Sequence, residues 1–125
     1  MEIFQTQLSK TRKAHYSPAV LHGDILYVSG QLSIDPVTMK LPNGGVKEHT
    51  QQALKNLQAV LDLANAKKEN IIMCRVYTPN VAFWDEIDDE YAKFFGEHKP
   101  ARVVVPTSTL HFGCLVEIEA QVAMR

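Results

Sequence analysis

Two apolar, β-branched runs fill the last quarter of the chain, and each carries charge where a buried strand would stay apolar. The first, Lys99-Pro100-Ala101-Arg102-Val103-Val104-Val105-Pro106, opens on an arginine. The second, Leu115-Val116-Glu117-Ile118-Glu119-Ala120-Gln121-Val122, alternates strictly. Val116, Ile118, Ala120, Val122 and Met124 point one way, and Leu115, Glu117, Glu119, Gln121 and Ala123 the other. Such a strand must have its first face covered, and its second, mixed face meets another subunit or lines a cleft. An unpaired ion in a low-dielectric interior is very costly. Arg102 therefore either pairs with Glu117 or Glu119, or waits for a ligand.

The chain has 125 residues, the length of one domain with a real core, and residues 1–125 are read as a single domain. Its net charge of −1 gives no general electrostatic footprint for nucleic acid or an anionic membrane. No apolar run approaches the ~20 residues of a membrane span. Met1-Glu2-Ile3-Phe4-Gln5 does not begin a signal peptide, so the expected location is cytoplasmic. Cys74 and Cys114 sit among apolar neighbours without metal-binding spacing, which reads as two buried free thiols in a reducing compartment.

In order, residues 2–8 suit a short strand and residues 9–14 a basic loop. Ala19–His22 and Ile25–Ser29 flank Gly23-Asp24, the pattern of a hairpin. Residues 33–45 hold two prolines and two glycines and read as a loop. From Val46 to about Ala66, Leu54, Leu57, Leu61 and Ala64 recur at helical steps, widened by Ala53 and Val60. Ile71–Thr78 fits a central strand, and Asn80 can cap a second helix over 81–97. That helix has Trp84, Ile87, Tyr91, Phe94 and Phe95 as its apolar stripe and Asp85, Glu86, Asp89 and Glu90 as a solvated face. The fold class is α+β: a mixed sheet with two helices on one face.

The residues able to carry chemistry are few. The planar fork of Arg102 suits a carboxylate, and Glu117 could orient or deprotonate a water. Tyr16 has a hydroxyl that needs a partner when buried. The five histidines show no metal-binding spacing, and phosphate loops and serine-nucleophile elbows are absent. Spacing alone stops at a site for a small anionic ligand.

Several motifs together go further. Ser29-Gly30-Gln31 with Asp35-Pro36, Tyr91-x-x-Phe94-Phe95, Lys99-Pro100-Ala101-Arg102 and Val116-Glu117-Ile118-Glu119-Ala120 closely resemble the Rid family, also called YjgF or L-PSP. The resemblance runs in order over nearly the whole chain. It implies a chorismate-mutase-like fold assembled as a homotrimer around an inter-subunit barrel. It also implies hydrolytic deamination of reactive imines of the 2-aminoacrylate/2-iminopropanoate type, a form of metabolite damage control that uses no metal or organic cofactor. By that resemblance Arg102 clamps the substrate carboxylate, Glu117 positions the attacking water and Tyr16 lines the cleft. Ser29, Gly30, the backbone at Val104, and Asp88 complete the substrate site. The implied partners are a small 2-imino or 2-keto carboxylate and two further copies of the chain. The other readings are a non-catalytic carboxylate-binding or regulatory trimer and an endoribonuclease, the latter disfavoured by the charge balance. Three positions depart from the pattern: Ala14-His15 stands for Gly-Pro, Asp88 for an Asn, and Leu110-His111-Phe112-Gly113 for Leu-Pro-Lys-Gly.

Overall fold

The alternation in the last strand organises the structure, a computed structural model describing residues 1–6, 9–10 and 13–125. Six strands form one sheet: β1 (Glu2–Phe4), β2 (Ala19–His22), β3 (Ile25–Leu32), β4 (Ile71–Thr78), β5 (Ala101–Pro106) and β6 (Glu117–Ala123). The two long helices among the described residues are α1 (Val46–Leu63) and α2 (Trp84–Phe95). The sheet order is β1-β2-β3-β6-β4-β5, antiparallel throughout except for the parallel pair β4–β5. A parallel pair needs a crossover, and α2 supplies it. The last strand in the chain is thus a central strand of the sheet.

The core lies between sheet and helices. Leu26 and Val28 of β3, Ile118, Ala120 and Val122 of β6, and Cys74 and Val76 of β4 are buried on one face. Ala53, Leu54, Leu57, Val60, Leu61 and Ala64, the stripe expected from the sequence, meet them from α1 and its C-cap. Ile87, Tyr91 and Phe95 do so from α2. The opposite face is half exposed and mixed, as the alternation requires. Both cysteines are buried free thiols. No helix among the described residues is long and apolar enough to cross a membrane.

The expected hairpin forms, with Gly23 at φ +60° in its turn. Strand 71–78 has the expected limits. The first strand is shorter than expected, and its expected end at 7–8 lies outside the described residues, as do 11–12 of the basic stretch. Ser9 and Lys10, expected in a loop, are helical, with the Lys10 amide on the Thr6 carbonyl at 3.1 Å. Asn80 does cap, but it caps a single 3₁₀ turn over Val81–Phe83, accepting from the Ala82 amide at 2.9 Å; α2 proper starts at Trp84. Glu90, expected on the solvated face, is buried. Gln51 of α1 donates to it at 2.6 Å and Lys93 pairs with it at 2.8 Å, holding its carboxyl below the usual range. At i+3 from Ile87 and i−4 from Phe94, Glu90 borders the apolar stripe. The neighbouring helix covers that position and supplies the amide.

Candidate active site

Glu117 opens β6 on the mixed face, and its carboxylate rests directly over Gly30. A Cβ at residue 30 would lie 2.5 Å from Glu117 Oε2, so any larger residue would displace the carboxylate. Gly30 falls in the register shift between Val28 and Gln31, where β3 bulges beside β6. The Ser29 hydroxyl donates to the Ser17 carbonyl at 2.6 Å, and the Ser29 amide to the Pro18 carbonyl at 2.9 Å. These bonds tie the segment that carries exposed Tyr16 to the bulge. Tyr16, Ser29, Gly30 and Glu117 therefore belong to one region.

Glu117 has no hydrogen bond or ion pair among the described residues. Burial raises its pKa, and the Glu119 charge raises it further against an opposing pull from His111. Glu119, on the same face, is fully engaged: Arg75 Nη1 donates at 3.0 Å and the Tyr77 hydroxyl at 2.9 Å. Glu119 is thus held by two side chains, while Glu117 is held by none among the described residues.

Glu117 also has a support that the sequence reading missed. The Leu115 amide donates to His49 Nδ1 at 3.2 Å, and the Leu115 carbonyl accepts from the Thr78 hydroxyl at 2.9 Å. His49 Nδ1 also accepts from buried Ser33 at 2.7 Å, which requires a neutral ring, and burial lowers the His49 pKa accordingly. A signal was present: His49 stands four residues before Ala53, on the apolar stripe of α1, where a polar side chain needs a buried partner. The turn His111–Gly113 next to this anchor has Phe112 at φ +62°, a left-handed conformation rare for a bulky residue.

Arg102 lies elsewhere. Its Nη1 pairs with Asp88 of α2 at 2.6 Å, and its guanidinium sits 4.9 Å from the Tyr91 ring centre. Neither glutamate on β6 is its partner, which answers the question left open by the sequence: the internal counter-ion is Asp88. Under it the Tyr91 hydroxyl is buried without a hydrogen-bond partner among the described residues, and burial raises its pKa. The neighbouring Cys74 thiol is pushed up to about 11, mainly by burial. Val104 is buried on the helix face of β5, an edge strand whose outer backbone is unpaired within the sheet.

Arg102 and Glu117 do not converge in one chain. Arg102 is level with Cys74, while Glu117 and Val105 are level with Tyr77, three residues further along β4. With β4 lying between β5 and β6, their backbones are about 14 Å apart at ~4.8 Å per strand and ~3.3 Å per residue. Their side chains leave opposite faces of the sheet. Among the described residues no cluster of His, Cys, Asp or Glu could hold a metal ion.

This six-stranded mixed sheet with two helices on one face defines a class of protein that comparison identifies. The model of the Endoribonuclease L-PSP family matches residues 7–124. The chain is 36% identical over 119 residues to a RutC family protein of Pyrococcus horikoshii, covering 95% of this chain and 94% of that one. It is 34% identical over 105 residues to human 2-iminobutanoate/2-iminopropanoate deaminase, covering 84% and 77%. The crystal structure of the E. coli YjgF gene product superposes with a TM-score of 0.91 at 26% identity, covering all of both chains. The protein belongs to the L-PSP family, known also as YjgF/Rid.

Proposed function

We propose that this protein hydrolyses reactive enamine and imine intermediates of the 2-aminoacrylate/2-iminopropanoate type to 2-keto acids and ammonia. The observation that carries the reading is Glu117: a carboxylate without a partner among the described residues, beside a fully paired twin, placed over a glycine and with a raised pKa. The deaminase name of the human relative supports it.

The chemistry asks little of a protein. The enamine becomes an iminium by protonation at its methylene carbon, and the C2 of that iminium is strongly electrophilic. Glu117 accepts a proton from water as the water oxygen bonds to C2, and the resulting carbinolamine carries OH and NH2 on one carbon. Protonation of its nitrogen lets ammonia leave as the C2 hydroxyl loses its proton, giving the ketone. Arg102 holds the carboxylate, and Tyr16, Ser29 and Gly30 wall the cleft, so most of the acceleration comes from orientation and general base catalysis.

On this reading the reacting centre lies between copies of the chain, which the separation of Arg102 from Glu117 within one copy supports. The half-exposed face, with Tyr27 44% and Val103 40% exposed, is suited to that contact. Three copies would form a trimer with shared clefts, working in the cytoplasm, where two free buried thiols are at home. The test generates 2-iminopropanoate in situ with an amino-acid oxidase and follows its loss. The protein accelerates that loss, and Arg102→Ala lowers kcat/KM by about 100-fold. No acceleration, or acceleration that survives the substitution, overturns the assignment. Light scattering returns three times the 14.1 kDa chain mass; a monomer overturns the shared cleft.

A further inference from the structure

The carboxylate-binding arginine of this chain already holds a carboxylate. Arg102 is one-quarter exposed and Asp88 half exposed, so the pair sits at the surface, open to a ligand. The contact uses Nη1 alone, and the guanidinium carbon lies 4.9 Å from the centre of the Tyr91 ring. A guanidinium has further N–H donors, so an incoming carboxylate can join Asp88 at the same cation instead of evicting it. Two anions then share one positive charge, and they repel each other. The only ion pair of Asp88 among the described residues is with Arg102. The ligand must therefore bring the missing positive charge itself.

A 2-imino acid does so. Its carboxylate lies one bond from C2, and the nitrogen on C2 is cationic when protonated. The 2-keto acid formed by hydrolysis presents only the anion. We propose that Asp88 is a specificity-determining residue that makes the Arg102 site prefer 2-iminium and 2-amino carboxylates over 2-keto carboxylates. It thereby favours substrate over product at the same arginine and hastens product release. The inference rests on the reading of Arg102 as the carboxylate clamp, and adds to it the class of carboxylate that the clamp accepts.

Calorimetric titration with pyruvate and L-alanine as probes tests it on the intact protein, with Asp88→Asn, Asp88→Ala and Arg102→Ala alongside. The wild-type protein favours alanine relative to either Asp88 variant. Asp88→Asn and Asp88→Ala each bind pyruvate about tenfold tighter, equivalent to ~1.4 kcal/mol, without a matching gain for alanine. The product-inhibition constant of pyruvate in the deamination assay falls in step. Arg102→Ala loses both probes. If both Asp88 variants keep the wild-type alanine-to-pyruvate ratio while Arg102→Ala loses binding, the role of Asp88 is overturned and the clamp stands. If pyruvate binding survives Arg102→Ala, or neither probe binds the wild-type protein, the clamp and this inference fall together.

Discussion

The two faces of the sheet use charge in opposite ways. On the helix face the charge of β5, Arg102, is met at the margin by Asp88 and lies near an aromatic ring. On the open face two glutamates stand two residues apart on β6. Glu119 is gripped by Arg75 and Tyr77, while Glu117 is left above a glycine. Tyr77 is directly opposite Glu117 in the register, yet its hydroxyl crosses diagonally to Glu119. Alternation decides which face a charge occupies. Partnership depends on the neighbouring strand, and it separates a structural charge from one free to act.

The largest test of that contrast is at Glu117. Glu117→Gln lowers kcat by about 10²–10⁴-fold in the imine assay, the usual scale of a lost general base. The same change leaves folding stability intact or raises it by up to ~1 kcal/mol in denaturant titration, because it removes a half-buried, unpaired charge. The pH profile carries the sign. A raised pKa means that Glu117 takes up its proton at higher pH than an ordinary carboxylate. As pH falls through that value the base is lost, so the acid limb of kcat/KM lies above the usual carboxylate range. A limb at or below that range would sink the assignment.

The helix face answers to packing. Leu57→Ala, at a fully buried position facing the sheet, lowers unfolding free energy by ~3 kcal/mol by the cavity it leaves, measured by urea unfolding. Once folded, the variant keeps its kcat, since Leu57 touches only core. The smallest effect belongs to Glu119. Glu119→Gln costs about 1 kcal/mol, because its ion pair with Arg75 is more than a third exposed on the arginine side. It also lowers the pH of the Glu117 acid limb by removing the nearby negative charge. Opposite movement of the limb would show that Glu117 responds to some other group.

Much of the architecture was legible because period and burial coincide. The stripe Leu54, Leu57, Leu61 predicts α1, and the β-rich run Ile71–Thr78 predicts β4 with its true limits. The ion pairs were not legible. Asp88 precedes Arg102 by fourteen residues, and only the docking of α2 beside β5 brings them together. Gln51 meets Glu90 across two helices for the same reason. The bulge that sets Gly30 under Glu117 comes from strand register, which no local pattern encodes. Strand position and chemistry point to Glu117 and motif likeness to Ser29 and Gly30, and the structure adds the contact between the glycine and the carboxylate.

The place of β6 also governs how the chain reaches its fold. The strand arrives last in sequence, yet it pairs with β3 on one side and β4 on the other. Until it inserts, β1-β2-β3 and β4-α2-β5 are two half-sheets, each with a bare strand edge. Closing the gap joins Ile25 to Ala123 across almost the whole chain, a contact whose loop entropy makes it slow. Both edges invite pairing with other chains during that wait. The strand that brings Glu117 into place is thus also the one that covers both inner edges.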